Sequence, residues 1–318
     1  MSSPFSLFKR SGLTLGLELD SEGAAVVRAS AAEKAGARSI SAHTFAWGQE
    51  EGRDQLLYRK IREIARPRLP VITSLPLSDY QLVQIQPPRV KENEMRQAVS
   101  WQIKDLIDYP LDRSVIDVFS APEAPGLGSM VYVVAANRDR VEQRINLLQQ
   151  ARLRLRAIDI PELVLRNVLR LEPESESTVA LLHLERGAGV LLVYRAGVLY
   201  VARRLTSGMD HLLGGAAEAP ESGLLEPDDM GSTIFDSLLL DVQRTLDYYE
   251  SNFRASPVST LLLAPQLGQE PRLQEHLQQN LDIPVRLLEL DAHLGQELSY
   301  AEQGRCLPAL GCALKQAE

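Results

Sequence analysis

Residues 178–204 read TVALLHLERGAGVLLVYRAGVLYVARR, three short runs rich in β-branched residues that glycines separate. This pattern predicts three β-strands joined by two tight turns, in which Gly187, Gly189 and Gly197 supply the positive φ that hairpin turns require. Residues 190–193 are apolar at consecutive positions, which predicts a strand covered on both faces. Taken alone, the stretch also fits an ordinary antiparallel meander, so its meaning depends on the rest of the chain.

The same pattern occurs a second time, nearer the N-terminus. Leucines alternate with polar or small residues over 13–19, and after a turn at 21–23 two more strands are predicted, at 24–28 and 40–45. Each triplet precedes a helical pattern and a further strand, at 54–66 and 71–75 in the first copy and at 234–253 and 258–263 in the second. Two copies of one unit predict a duplicated domain with a cleft between its halves.

A small α+β module is predicted between the two copies, at residues 77–150. Its first helix is expected at 91–108, with an apolar stripe of Met95, Val99, Ile103, Leu106 and Ile107. Trp101 lies on the opposite side of that helix, where either a neighbouring element covers it or a partner protein contacts it. A second, polar insertion is expected at 207–232, with Ser232 or Thr233 as the N-cap of the helix that follows.

Bulk composition excludes several classes of protein. The chain has 318 residues, 45% of them hydrophobic, which is enough for two cores. Lysine and arginine number 22 against 19 aspartates and glutamates up to Ile160, and 12 against 23 afterwards, so no nucleic acid partner is expected. No apolar run approaches the roughly 20 residues that span a bilayer, and MSSPFSLFKR is too short for a secretory signal. A cytoplasmic protein is therefore expected.

Two smaller features allow weaker inferences. The denser basic segments, 59–68 and 138–156, are interpreted as solvated helix faces, with an anionic membrane surface as the less favoured alternative. Cys306 and Cys312 are the only cysteines, and no nearby histidine completes a metal site, so reduced and buried thiols are expected and no metal is predicted.

The order of elements resembles the actin-like fold of the type IV pilus protein PilM and the cell-division protein FtsA. Five segments resemble more closely the MshI proteins, which serve the biogenesis of MSHA-type (mannose-sensitive haemagglutinin) type IV pili. They are WQIKDLIDYPLDRSVIDVF (101–119), MVYVVAA (130–136), AIDIPELVLRNVL (157–169), LLLDVQRTLDYYESNF (238–253) and LPALGCAL (307–314). IKDLID and IDIPEL are the more specific fragments, and the likeness covers nearly the whole chain.

This resemblance implies an α/β chain with a duplicated actin-like (ribonuclease-H-like) fold. Residues 1–76 and 151–172 would form the first lobe, with 77–150 as a module inserted in it. Residues 178–206 and 254–318 would form the second lobe, and 207–253 would add an insertion and a long helix.

The resemblance also implies a location and a partner. The protein would lie at the cytoplasmic face of the inner membrane, with other pilus assembly proteins. It would bind the N-terminal cytoplasmic tail of a bitopic membrane protein, PilN or its MSHA counterpart MshJ, in a groove between the first lobe and the inserted module. Trp101 and Tyr109 are the candidate contacts, because both fall outside the apolar stripe of their helix.

Actin-like ATPases hold phosphates and Mg²⁺ with two hairpins, and this sequence departs from that pattern. The first hairpin has Glu18, Asp20 and Ser21, which adds a carboxylate where a close backbone approach is needed. The second has His183 and Glu185, so that an imidazole replaces the metal-binding carboxylate. His183 itself is interpreted as a hydrogen-bonded strand residue.

The adenosine-binding loop departs from the pattern as well, because Ala264-Pro265 replaces an expected glycine pair and proline lacks an N–H. The prediction is a degenerate nucleotide cleft with no catalytic residue, no ATP hydrolysis and weak or absent ATP binding, since extra carboxylates repel a triphosphate. The alternative is an ATP-binding switch or weak ATPase in which Glu18, Asp20 and Glu185 hold Mg²⁺. A sugar-kinase-like enzyme is a more distant possibility.

Overall fold

The structure is a computed structural model that describes residues 14–29, 39–49, 51–64, 69–125, 128–214, 227–253 and 255–315. The segment MSSPFSLFKR and part of the polar insertion predicted at 207–232 lie outside these residues.

Strands account for much of the described chain. In chain order they are β1 (Thr14–Leu19), β2 (Gly23–Ala29), β3 (Ile40–Ala46), β4 (Pro70–Ser74), β5 (Tyr80–Ile85), β6 (Ser114–Ser120), β7 (Val131–Asn137), β8 (Arg154–Asp159), β9 (Thr178–Leu184), β10 (Gly189–Arg195), β11 (Val198–Leu205), β12 (Thr260–Leu263) and β13 (Val285–Leu287).

The described helices lie between groups of these strands and after the last one. They are α1 (Arg53–Ile64), α2 (Glu92–Ile103), α3 (Arg138–Gln150), α4 (Pro161–Leu169), α5 (Met209–Gly214), α6 (Pro227–Asn252), α7 (Pro271–Asn280), α8 (Asp291–Leu294) and α9 (Tyr300–Ala313).

Two five-stranded sheets have the same topology. The first has the order β3-β2-β1-β4-β8 and the second has β11-β10-β9-β12-β13. In each sheet the three meander strands pair antiparallel, and the next two strands join parallel to the central one. The duplication predicted from the sequence is therefore present. The third sheet, β5-β7-β6, is antiparallel and belongs to the inserted module.

Helices cover both faces of the two large sheets. Leu57 of α1 and Leu148 of α3 pack on one face of the first sheet, against Leu15 and Leu17 of β1. α4 and α9 lie between the two large sheets and contribute to one continuous core with both. α6 and α7 cover the outer face of the second sheet. Because hydrophobic side chains leave water on every one of these faces, the halves form a single layered body.

Gly16 of β1 allows α9 to lie directly on the first sheet. A Cβ at Gly16 would lie 1.7 Å from the carbonyl oxygen of Ala309, which is far inside any permitted contact. Gly311 plays the same role on the other side of α9, where a Cβ would lie 2.3 Å from the carbonyl oxygen of Val164 in α4. The position of α9 therefore depends on two residues that have no side chain.

One of the glycine predictions for the hairpins is right and two are wrong. Gly197 has φ +73° and its neighbour Ala196 has φ +48°, the two positive values of a type I′ turn. Gly187 and Gly189 do not have positive φ. Gly189 is small for a different reason, because a Cβ there would lie 2.9 Å from the backbone carbonyl oxygen of Ser207.

Two predicted helix boundaries are also wrong. The helix expected at 91–108 ends at Ile103; the Leu106 N–H bonds the Ile103 carbonyl oxygen in a tighter turn, and the Gln81 side chain binds both the N–H and the carboxylate of Asp108. Leu106, placed in the apolar stripe, is consequently 55% exposed. α6 begins at Pro227, so neither Ser232 nor Thr233 is its N-cap.

The predicted division into lobes stays a prediction, and two helices pack across it. α3, assigned to the module at 77–150, contacts α1 and β8 as well as β7. α9, assigned to the second lobe at 254–318, contacts β1, β2 and β4 of the first sheet. Periodicity shows that each helix has an apolar face, but it does not show which sheet that face covers.

Candidate functional site

A cleft of about 820 Å³ opens between the β1–β2 turn and the β9–β10 turn. It brings together Glu18, Asp20 and Ser21 from the first turn and His183 and Glu185 from the second. The two sequence segments selected as degenerate phosphate hairpins therefore face each other. α1, α3 and α9 and the segment after β12 also contribute lining residues.

Glu18 is a half-buried residue of β1 that lines the cleft. Its Oε2 accepts a hydrogen bond of 2.5 Å from Ser74 Oγ, at the end of β4. Burial raises the pKa of this carboxyl to about 7, although the nearby Arg144 guanidinium opposes the shift. Glu18 is thus close to half-protonated at neutral pH.

Glu185 lies across the cleft and has a related environment. Its Oε2 accepts a hydrogen bond of 2.8 Å from the backbone N–H of Leu77, at the entry to the inserted module. Burial, together with the negative charge of Glu18, raises the pKa of Glu185 to about 8. This carboxyl is mainly neutral at pH 7, so it repels an anion much less than the sequence suggested.

Asp20 forms the β1–β2 turn. Its Oδ1 accepts hydrogen bonds of 2.7 Å from the N–H groups of Glu22 and Gly23, an arrangement that commonly stabilises turns. Its Oδ2 accepts from Arg305 Nε of α9 at 2.5 Å. Both oxygens are already used within the protein, so Asp20 is poorly placed to hold a hydrated metal.

Arg186 spans the mouth of the cleft from one turn to the other. Its Nη1 lies 3.0 Å from Glu22 Oε1 and 3.1 Å from Ser21 Oγ, and its Nε lies 3.3 Å from Asp210 Oδ1. The side chain is 57% exposed, so each ion pair adds little stability. Its structural effect is to link the two turns across the cleft through contacts of one cation with Ser21, Glu22 and Asp210.

His183 is neutral, and its proton can be placed. Gln266 Nε2 donates to the carbonyl oxygen of Leu184 at 2.8 Å, which fixes the orientation of the amide. The same nitrogen lies 2.9 Å from His183 Nδ1, which must therefore accept, so the imidazole proton is on Nε2. Burial lowers the pKa of His183 to about 4. His183 Nε2 and Gln266 Oε1 have no hydrogen-bond partner among the described residues.

Ala264 and Pro265 are both buried and do not line the cleft. The same segment reaches the cleft through Gln266 and Gln269 instead. Pro265 begins a short 3₁₀ helix that turns these two amides inward.

Sequence reasoning missed several residues of the cleft. They are Trp47, Arg53, Arg140, Arg144, Arg186, Gln266 and Arg305. Five of the seven are arginines, and they face six acidic lining residues, so the cleft is nearly balanced in charge rather than strongly anionic. Arg186 follows Glu185 directly in the chain and could have been found there, whereas Arg305 gave no local signal.

The donor set of this cleft does not fit a magnesium–triphosphate complex. Such a complex needs free carboxylate oxygens for the hydrated metal and free backbone N–H groups for phosphate oxygens. Here Asp20 is occupied, Glu185 is mostly protonated, and an uncharged imidazole occupies the position of the second carboxylate.

The two aromatic residues proposed for partner binding have different environments. Trp101 of α2 is 68% exposed, so the alternative that a neighbouring element covers it is wrong. Tyr109 is half-buried against the module core, and its hydroxyl donates to the carbonyl oxygen of Ala135. Of these two residues, Trp101 alone presents a largely exposed aromatic ring.

Comparisons with known proteins bear on the fold. No protein-family model and no curated protein matches the sequence. A solved PilM-PilN type IV pilus biogenesis complex is similar to the chain, with a TM-score of 0.69 and 20% identity over 95% of this chain and 97% of that one.

Two other solved structures are similar over most of their length. The ethanolamine utilization protein EutJ from Carboxydothermus hydrogenoformans has a TM-score of 0.51, with 11% identity over 98% of this chain and 91% of its own. A Bacteroides thetaiotaomicron protein with an actin-like ATPase fold and unknown function has a TM-score of 0.50, with 10% identity over 93% of this chain and 100% of its own.

These likenesses confirm the predicted fold class: the chain is an actin-like α/β protein with two lobes. At such identities they show the fold and no more. Within the described part of the chain, no helix is both long and apolar enough to cross a bilayer.

Proposed function

We propose that this protein is a non-catalytic actin-like scaffold in an MSHA-type type IV pilus assembly complex, peripheral to the cytoplasmic face of the inner membrane. Its partner would be the cytoplasmic tail of a bitopic membrane protein, similar to PilN or MshJ. The observation that carries this proposal is the likeness to the PilM-PilN complex structure over nearly the full length of both chains. MshI-like segments in the sequence support the assignment to the MSHA type.

The inserted module supports a docking role. Trp101 and Leu106 are large apolar side chains that are 68% and 55% exposed; Trp101 lies on α2 between the buried Val99 and Ile103, and Leu106 follows the helix. Exposed aromatic residues of this kind often anchor partner proteins. The module surface around Trp101 is therefore the proposed contact for the tail.

Trp101→Ala should weaken tail binding about tenfold or more, because an anchoring tryptophan commonly contributes ~2 kcal/mol to an interface. Unfolding should be unaffected, since the side chain is mostly exposed. The measurement is calorimetric titration with a synthetic peptide from the N-terminus of the bitopic protein encoded with the pilus genes.

Tyr248→Ala is the matched control, because Tyr248 is an aromatic residue of α6 that is 40% exposed and lies outside the module. Equal affinities for the two variants would exclude the Trp101 surface. Failure of the unmodified protein to bind at high micromolar concentration, together with no recovery of the bitopic protein in a pull-down from extracted membranes, would contradict the tail-binding function.

We further propose that the cleft does not hydrolyse ATP. The occupied Asp20, the neutral His183 and the arginine that crosses the entrance all support this proposal. Mg-ATP should produce no saturable shift in melting temperature and no phosphate release above the blank. Saturable binding that disappears in Glu18→Ala would favour an ATP-binding switch instead.

A further inference from the structure

Four exposed arginines lie near the end of α1 and along the segment that leads into β8. Arg62 and Arg152 each lie 5.4 Å from the ring centroid of Tyr58, and Arg62 Nη1 also donates to the Tyr58 hydroxyl at 2.7 Å. Arg154 and Arg156 follow on β8, which is the edge strand of the first sheet, and both are exposed. We refer to Arg62, Arg152, Arg154 and Arg156 as the basic edge.

The charges of the basic edge are not neutralised within the described part of the chain. None of the ion pairs among described residues includes any of its four arginines. The nearest acid in sequence to Arg62 is Glu63, which pairs with Arg59 and Lys60. Asp159, at the other end of β8, pairs with Lys315. The basic edge therefore presents four positive charges to solvent.

The position of the basic edge keeps it away from the cleft. Ser74, at the end of β4, reaches Glu18 in the cleft, whereas Pro70, at the start of β4, pairs with Arg154. Since β4 and β8 are parallel, the arginines lie at the opposite end of the first sheet.

Charge is also segregated along the whole chain. Residues up to Ile160 contain 22 basic and 19 acidic side chains, and the remainder contain 12 and 23. A negatively charged surface would attract the first sheet and repel the second half, which orients the molecule. The net charge of −8 disfavours a nucleic acid as the partner, so a bilayer is the favoured anionic surface.

We propose that the basic edge binds anionic phospholipid headgroups of a membrane surface. Clusters of four or more cations are sufficient for weak electrostatic attachment to anionic lipid, and the planar guanidinium binds a phosphate through two parallel hydrogen bonds. This contact goes beyond tail binding and does not depend on it. It brings the protein to the surface from which a bitopic partner's tail emerges.

Vesicle co-sedimentation tests the proposal with the full chain. The protein should sediment with mixed phosphatidylcholine–phosphatidylglycerol vesicles at low salt, and much less with pure phosphatidylcholine vesicles. Raising the ionic strength to about 1 M should abolish sedimentation, because the Debye length falls to about 3 Å. No sedimentation with anionic vesicles, or equal sedimentation with both kinds, would overturn the proposal.

The double variant Arg154→Gln with Arg156→Gln identifies the surface. It should lower the apparent affinity for anionic vesicles by about tenfold or more while the melting temperature is retained. Arg89→Gln with Lys91→Gln removes the same charge at the same spacing from exposed positions of the inserted module, and should have little effect.

Equal losses in the two double variants would show a non-specific charge effect and would refute the basic edge. A different outcome is that the protein binds a DNA or RNA duplex more tightly than anionic vesicles, in a way that depends on Arg154. That result would identify nucleic acid as the ligand and would refute the lipid proposal. Tail-peptide affinity is measured on the same variants, so that failure of lipid binding and failure of the proposed scaffold function remain distinguishable.

Discussion

Gly16→Ala should destabilise the protein by about 3 kcal/mol or more, since the added methyl group would overlap the backbone of α9. The new Cβ would lie 1.7 Å from the Ala309 carbonyl oxygen and 2.6 Å from the Ala313 nitrogen. Both atoms belong to a helix backbone that a side-chain rotation cannot move. The helix must shift as a whole, which disturbs the core it shares with both large sheets.

Equilibrium unfolding in urea measures this effect, and a second glycine substitution provides the control. Gly48→Ala should change stability by no more than about 0.5 kcal/mol, because a Cβ there has no heavy atom within 4 Å. Gly311→Ala should resemble Gly16→Ala, since its Cβ would meet the carbonyl oxygen of Val164 at 2.3 Å. If Gly16→Ala unfolded at the same urea concentration as Gly48→Ala, the described packing of α9 would be incorrect.

The free energy of unfolding should fall by roughly 2 kcal/mol as the pH rises from about 6.5 to about 8. In the folded protein the pKa values of Glu18 and Glu185 are about 7 and about 8, against 4.5 for an ordinary glutamate. Over this interval the folded state binds more protons than the unfolded state. Raising the pH therefore favours unfolding, by at most ~1.4 kcal/mol per pH unit for each carboxyl.

Histidine titration limits the pH range in which the loss of stability can be attributed to Glu18 and Glu185. The pKa of His183 falls from 6.5 to about 4 on burial, so below pH 6.5 the unfolded chain gains a proton that the folded protein does not. Burial also lowers the pKa of His43. Both histidines make the protein less stable as the pH falls, which opposes the two glutamates. At pH 6.5 an unfolded histidine is still half-protonated, so this opposing contribution fades only above about pH 7.5. Between pH 6.5 and 8 it offsets a minor part of the effect of the two glutamates.

Glu185→Gln tests the assignment. The amide keeps an oxygen that accepts from the Leu77 N–H, and it removes the titrating group. The fall in stability between pH 6.5 and 8 should shrink to about one third or less, because the higher pKa of Glu185 makes it the larger contributor over this interval. Glu142→Gln, at an exposed position of α3, should leave the profile unchanged. A wild-type profile that is flat or rises between pH 6.5 and 8 would contradict the buried, protonated carboxyls.

Much of the fold could be predicted because it depends on local patterns. The alternating leucines of β1 and the glycine-separated runs of β9 to β11 indicate strands directly, and their repetition indicates the duplicated sheets. The resemblance to actin-like proteins then supplied the two-lobed arrangement. The ends of α2 and α6 were not predicted correctly, because periodicity indicates that a helix is present more reliably than it indicates where the helix begins or ends.

The sequence predicted several of the residues that line the cleft, but it did not predict their charges or their hydrogen-bond partners. Glu18, Asp20, His183 and Glu185 were identified by their positions in the two hairpins, and they do meet in one cleft. Their charges could not be read from the sequence, because burial decides that Glu185 is mostly neutral and Arg305 reaches Asp20 from 285 residues away. The argument from excess negative charge was therefore wrong in its physical basis, and the occupied hydrogen-bonding groups replace it as support for the proposed lack of ATPase activity.

The placement of α9 has a consequence for the order in which the protein acquires its structure during synthesis. β1 to β4 are made early by the ribosome, but the helix that covers one of their faces is encoded after every strand of the second sheet. A nascent chain therefore exposes the apolar residues on that face of the first sheet for most of its translation. Chaperones have that whole interval in which to engage it.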